Sequence, residues 1–234
     1  MLRRCAAILL FACASAQALT QGEVAAGAQQ LYAKRLHEQG HAIDRDGTFL
    51  ERVQRIANIL IARAAIDYPA SASWQWEVHT TSDSEENASC MAGGKLLVGQ
   101  PFVHDLLLND AELAMLLAHE MQHALQLHNL KEFEEALRLS PAWRDKPFAQ
   151  LESAVDEDRD LMHLLEPIGL EQEREADREG LLLAWRAGWP AGQLANYYRK
   201  AMRASSRPNF ESRSHASPSS RWQAARELAG TLLR

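Results

Sequence analysis

Residues 109–125 read NDAELAMLLAHEMQHAL, and this stretch predicts the central helix of the fold. Asn109 can cap the first turn, and Glu112 three residues later supplies the second half of a capping box. Apolar residues then recur at helical spacing and predict a buried face that continues to about Leu130. These residues are Leu113, Leu116, Leu117, Met121, Ala124 and Leu125. The helix is therefore predicted to cross the core, which places the polar residues near its end in apolar surroundings.

Three of those polar residues, His119, Glu120 and His123, form the pattern His-Glu-x-x-His. Histidines four residues apart lie on one face of a helix, close enough to bind a single Zn²⁺. Zinc lowers the pKa of a bound water to about 7, and the Glu120 carboxylate can take the water proton during attack on a carbonyl carbon. Unpaired polar groups on an apolar helix face are costly, whereas a metal would satisfy them. The pattern therefore predicts a zinc hydrolase with one Zn²⁺ per chain.

A catalytic zinc needs a third protein ligand and an open position for water. A second predicted helix, over about residues 171–187, carries Glu173-Arg174-Glu175-Ala176-Asp177. Glu173 and Asp177 are four residues apart and share a helix face. Glu173 can therefore bind the metal while Asp177 accepts the outer N–H of a ligand histidine. Glu175 projects from another face and is the alternative ligand.

Taken together, these segments resemble the gluzincin family that contains the CAAX prenyl proteases, HtpX and BepA. Two further segments share the resemblance: residues 87–98, which read NASCMAGGKLLV, and residues 214–221, which read SHASPSSR. The four segments occur in the order that the family shows, and the resemblance extends over about residues 50–230. It implies a zincin-like domain that hydrolyses peptide bonds with zinc as its cofactor.

The resemblance also implies roles for individual residues. Glu173 is the third ligand and Asp177 supports a ligand histidine. His215 lies near the metal, where it stabilises the oxyanion or occupies the fourth coordination position, and Arg221 supports that region. The segment Gly94-Lys95-Leu96-Leu97-Val98 is an edge strand that holds an extended substrate by strand addition. Ala216 departs from the family, which usually has proline at this position.

The rest of the chain is predicted to be mainly helical with a small sheet, an α+β fold. Apolar residues at helical spacing predict two helices within residues 21–68, and further helices over 191–204 and 221–233. Alternation of large apolar and polar residues predicts a strand over 74–80, and Lys95–Val98 reads as a second strand.

Residues 131–167 are charged and contain three prolines, which predicts an irregular segment. Because this segment joins the two helices that carry the ligands, we expect it to act as a lid or plug over the site. His128, five residues beyond His123, is predicted to face away from the site. The remaining histidines are predicted to lie at the surface or to be hydrogen-bonded internally: His37, His41, His79, His104 and His163.

The first eighteen residues have the pattern of a signal peptide. A positive start at Arg3 and Arg4 is followed by an apolar run and by Ala16-Gln17-Ala18, a small-x-small cleavage site. This predicts a periplasmic protein whose single domain covers 19–234. The alternative is a lipid anchor on Cys13, which would make the protein an outer-membrane lipoprotein with peripheral membrane association.

Composition limits the possible partners. Hydrophobic residues make up 47% and charged residues 24% of the chain, which is typical of a globular protein. The net charge of −6 and the lack of a basic stripe argue against nucleic acid as a partner. Only Cys90 remains after the predicted leader, so no internal disulfide is expected.

The sequence thus predicts a secreted zinc metalloendopeptidase, and the family resemblance implies unfolded or misassembled envelope proteins as its substrates. One alternative is a periplasmic chaperone or assembly factor that binds unfolded chains and has a latent zinc site. Another is a zinc-storing or structural site. Glu120 favours catalysis, because a protein that only binds chains has no need of a general base.

Overall fold

The computed structural model describes residues 19–210 and 216–232, which form helices around a small sheet. The helices are α1 (Gln21–Gln39), α2 (Gly47–Asp67), α3 (Gln100–Asp105), α4 (Asp110–Leu125), α5 (His128–Leu139), α6 (Phe148–Glu157), α7 (Arg159–Arg186), α8 (Ala191–Ala204) and α9 (Pro218–Leu232). The strands are β1 (Glu77–Thr81), β2 (Ala88–Met91) and β3 (Lys95–Gly99). This arrangement confirms the predicted α+β fold class.

The central helix α4 runs through the larger of two hydrophobic cores. Its N-terminus has the predicted capping box between Asn109 and Glu112. Of its 16 residues, all are buried except Asp110, Glu120 and His123. The helix is therefore held on nearly every side, and the last two of these residues face an open cleft.

α4 ends earlier than the sequence predicts, at Leu125 instead of about Leu130. Leu127 adopts the left-handed conformation, with φ of 57°, and α5 begins at the next residue. The apolar pattern continues across this break, so spacing alone does not reveal it. The break turns the chain and brings His128 back toward the end of α4.

Residues 131–167 are mostly helical, contrary to the prediction of an irregular segment, and a short connection with a 3₁₀ turn over Pro141–Asp145 separates α5 from α6. They form most of α5, all of α6 and the start of α7, where Asp158 caps the helix and Pro167 lies within it. Their apolar residues pack against Val24 and Ala28 of α1 in the second hydrophobic core. Charged residues on the exposed faces of these helices separate the apolar residues, so the helical spacing of the apolar residues is not apparent from the sequence.

This packing also differs from the predicted lid or plug. Among the described residues, none of those between 131 and 167 lines the cleft beside α4. Residues 205–210 extend along the cleft instead, through Ser205, Arg207 and Phe210.

The sheet has the order β1-β3-β2, with β1 parallel and β2 antiparallel to β3. The prediction that Gly94-Lys95-Leu96-Leu97-Val98 forms the substrate-holding edge is therefore wrong. β3 is the middle strand, its five residues are buried, and both of its sides are paired, while Gly94 lies in the turn before it. The edge beside the cleft is β2, a short and partly polar strand that the sequence analysis did not predict.

The remaining boundaries shift by only a few residues. β1 begins at Glu77 and not at residue 74, because a 3₁₀ turn over Pro69–Ser73 precedes it and Trp76 donates a hydrogen bond back to the Ser71 carbonyl. The last helix begins at Pro218 and not at residue 221. Within the described ranges, no helix has both the length and the apolar character that crossing a bilayer requires.

Candidate active site

The predicted ligands meet where α4 packs against α7. His119 Nε2 lies 3.4 Å from His123 Nε2 and 3.4 Å from Glu173 Oε2, and His123 Nε2 lies 3.3 Å from Glu173 Oε1. A tetrahedral zinc with ligands at about 2.0–2.1 Å separates its donor atoms by roughly 3.3–3.4 Å, as simple trigonometry gives. The two Glu173 distances are to different carboxylate oxygens, and one donor atom from each of the three residues lies within 4.8 Å of the others, an arrangement in which a single zinc ion could be held.

Close approach of the two helices depends on Gly180 of α7. A Cβ atom at this position would lie 2.9 Å from the backbone nitrogen of His119 and 3.0 Å from its Cα. Both distances are shorter than van der Waals contact allows, so any side chain here would push the helices apart. The glycine thereby lets α7 bring Glu173 to the two histidines.

His119 has the outer partner that the sequence predicts for a ligand histidine. Its Nδ1 lies 2.9 Å from Asp177 Oδ1 on α7. Burial would lower the pKa of His119, but Asp177 and Glu173 outweigh burial and raise it to about 10. The carboxylates thus create a strong negative potential at the donor atoms, which suits a cation.

Asp177 is itself held by two groups from α8 and α9. Arg221 donates to both of its oxygens, at 2.7 and 2.6 Å, and the Tyr198 hydroxyl donates to Oδ1 at 2.8 Å. Burial would raise the pKa of Asp177, but the hydrogen bonds from His119 and Arg221 lower it to about 2. Arg221 therefore lies where the resemblance implies, whereas the role of Tyr198 was not predicted.

His128 lies directly behind His123, contrary to the prediction that it faces away. It is 1% exposed, and its Nδ1 is 3.1 Å from Nδ1 of His123. Its Nε2 is 3.2 Å from Glu175 Oε2. The alternative ligand Glu175 therefore contacts His128 and is separated by that ring from the donor set. Burial, together with the neighbouring His123, lowers the pKa of His128, which favours the uncharged ring.

Glu120 borders the donor set on the side of the cleft. One of its carboxylate oxygens lies 4.0 Å from His119 Nε2, and its side chain is 19% exposed. Burial raises the pKa of Glu120, while His119 and His123 oppose the shift. A carboxylate in this position could reach a water molecule on a metal ion held by these donors.

The cleft has a volume of about 820 Å³ and runs between β2 and α8. Its walls include Asn87 and the whole of β2 on one side, and Tyr197 and Ala201 on the other. Burial raises the pKa of the Cys90 thiol, so this wall residue stays protonated and is a poor nucleophile. The cleft is thus an open groove with the predicted ligands and general base in its floor.

Other predicted residues lie elsewhere. His215 falls outside the described residues, so its predicted role near the metal stays a prediction. The histidines at positions 37, 41, 79, 104 and 163 contribute no atom to the donor set. His79 instead pairs with Asp44 at 2.5 Å.

Comparison with known proteins supports the same interpretation. The sequence matches the profile of Peptidase family M48 over residues 48–229, a range that includes both ligand-bearing helices. A search among individual characterised proteins found no match. Because the family profile covers most of the chain and the donor residues lie within it, the chain belongs to Peptidase family M48 and is a metallopeptidase.

Proposed function

We propose that this protein is a zinc-dependent endopeptidase that cleaves extended protein chains. The observation that carries the proposal is that one donor atom from each of His119, His123 and Glu173 lies within 4.8 Å of the others in the floor of an open groove, with Glu120 beside them. His119, His123 and Glu173 would hold the ion. A bound zinc would act as a Lewis acid toward water and the scissile carbonyl.

The chain's own groups account for proton transfer. Glu120 takes a proton from the attacking water and then passes it to the nitrogen of the leaving amine. Its raised pKa suits this exchange, because a more basic carboxylate accepts the proton more readily. Asp177 meanwhile holds His119 by its outer nitrogen, so the imidazole keeps its Nε2 toward the donor set.

The outer edge of β2, with which no strand in the described part of the chain pairs, is suited to hold the substrate. Gly99 donates to the Asn87 carbonyl at 2.8 Å, so the pair Asn87 and Gly99 is hydrogen-bonded. Bonded and non-bonded pairs alternate along antiparallel strands. The main-chain groups of Ala88 and Cys90 therefore point away from β3 toward the cleft, where an extended peptide can pair with them.

Replacing Ala88 by proline tests this edge. Proline removes one outward N–H but is tolerated in an edge strand, so the fold should survive. We expect an increase of about tenfold in KM for unfolded casein, the value of roughly one hydrogen bond, with little change in kcat. Ala88→Val, which keeps the N–H, is the matched control. Equal KM values for the two variants would show that substrate does not pair with this edge.

The wild-type protein provides the direct test of the proposed function. We expect about one zinc per chain by elemental analysis and cleavage of unfolded casein at internal bonds. A chelator should abolish cleavage, and added zinc should restore it. Protein that takes up no zinc on reconstitution, or that only trims chain ends, would contradict the proposal.

Export and substrate class form the second part of the proposal. The leader-like residues 1–18, which lie outside the described residues, support delivery to the periplasm, and the open groove suits unfolded envelope proteins. Mass spectrometry of the protein made from its complete coding sequence should show a chain that begins at Leu19. A lipid on Cys13, or retention in the cytoplasm, would contradict periplasmic release.

A further inference from the structure

A chain of hydrogen-bonding groups extends outward from His123. His123 Nδ1 lies 3.1 Å from His128 Nδ1, and His128 Nε2 lies 3.2 Å from Glu175 Oε2. Lys131 Nζ lies 3.8 Å from the same carboxylate oxygen, which is an ion-pair distance. The chain thus connects a ligand residue on α4 with the first turn of α5 and with α7.

Donor and acceptor accounting assigns the protons in this chain. An ionised carboxylate such as Glu175 can only accept, so Nε2 of His128 carries the hydrogen. In a neutral imidazole the other nitrogen is then an acceptor, which makes His128 Nδ1 the acceptor facing His123. His123 Nδ1 must therefore donate, and its Nε2 is left as the ligand atom.

The surroundings hold His128 in this orientation. The rings of His123 and His128 pack edge to face, with centroids 5.0 Å apart. Gln172 donates to the His128 carbonyl at 3.1 Å and so ties the start of α5 to α7. With 1% exposure, the His128 ring has no room to rotate toward water.

We propose that His128, oriented by Glu175, is a positioning residue that holds His123 with Nε2 turned toward the metal. The inference rests on the proposed zinc site and adds a specific asymmetry to it. His119 is backed by a carboxylate, whereas His123 is backed by a neutral imidazole. The two ligand histidines are therefore oriented by different chemistry.

Zinc affinity is the first measurement, by competition with a chromophoric chelator on the full chain. Loss of an outer partner of a ligand histidine typically weakens metal binding by about 10–100-fold, and we expect this for His128→Phe. His128→Asn should regain most of the affinity, because its amide oxygen can accept from His123 in place of Nδ1. His163→Phe, an exposed histidine on α7, is the control and should bind zinc like the wild type. Equal losses in the Phe and Asn variants, or none in either, would overturn the inference.

The tautomer of His128 is the second measurement, and it needs neither zinc nor a stable Phe variant. In ¹⁵N-histidine-labelled wild-type protein at neutral pH, we expect His128 to be protonated at Nε2 and bare at Nδ1. The signals are assigned by their loss in His128→Asn. A proton on Nδ1 would overturn the inference. A wild-type protein that binds no zinc but shows the expected tautomer would refute the proposed function and leave the hydrogen-bond arrangement supported.

Discussion

Replacing Glu120 by glutamine is expected to lower kcat/KM for unfolded casein by about 10³-fold, within the range that a general base contributes. The variant keeps the shape of the side chain and the three metal donors, but its amide cannot take the water proton. Zinc content should therefore remain at about one per chain. The measurement is single-turnover cleavage together with elemental analysis of the same sample.

Glu134→Gln, an exposed acid on α5 away from the cleft, is the control and should cleave at the wild-type rate. Glu120→Gln also separates catalysis from the chaperone alternative. A protein that acts only by binding unfolded chains would keep its effect on their aggregation and show no dependence on Glu120. Wild-type cleavage by the glutamine variant would exclude Glu120 as the general base.

Replacing Arg221 by methionine is expected to lower the free energy of unfolding by about 3–5 kcal/mol, because it removes the guanidinium that donates to both oxygens of the buried Asp177 carboxylate. The two side chains are only 17% and 16% exposed, so water compensates little. The pair also joins α9 to α7, which makes the loss affect both helices. Chemical denaturation in the presence of a chelator measures the change without a contribution from metal binding.

The double variant Asp177→Asn, Arg221→Met provides the control for this interpretation. Its neutral amide can still accept from Tyr198 and His119, so much of the lost stability should return. Zinc affinity should stay low, since an amide is a weaker acceptor than a carboxylate for the outer nitrogen of His119. If Arg221→Met lowers the free energy of unfolding by less than about 1 kcal/mol, the ion pair between Arg221 and Asp177 behaves like a solvent-exposed one.

The parts of the site that the sequence predicts are those encoded by local spacing. His119, Glu120 and His123 lie within five consecutive residues of one helix. The helix geometry alone therefore brings them together, and the rest of the fold is not needed. The distance from Glu173 to Asp177 is likewise one helical turn. That spacing places one carboxylate at the donor set and the other behind His119.

The parts that could not be predicted depend on contacts between distant segments or on a single backbone angle. His128 reaches His123 only because Leu127 takes a left-handed conformation, which no residue type here requires. The order of the strands depends on which strands pair with β3. The apolar sequence of β3 fits a central strand and also an edge strand that lines a cleft, so it does not distinguish between the two positions. Tyr198 meets Asp177 through the packing of α8 on α7, and its own neighbours in sequence give no sign of that contact.

The contact at Gly180 has a consequence for metal selectivity. The donor atoms come from two separate helices, so the distance between the helix axes contributes to the spacing of the donor atoms. The shortest possible distance between the two helices is set by a backbone-to-backbone contact behind the site, between Gly180 and His119. We therefore expect the size of ion that the site accepts to depend on a residue that has no ligand atom. A chain of this type could change its preferred ion by a substitution at that contact while every coordinating side chain stayed the same.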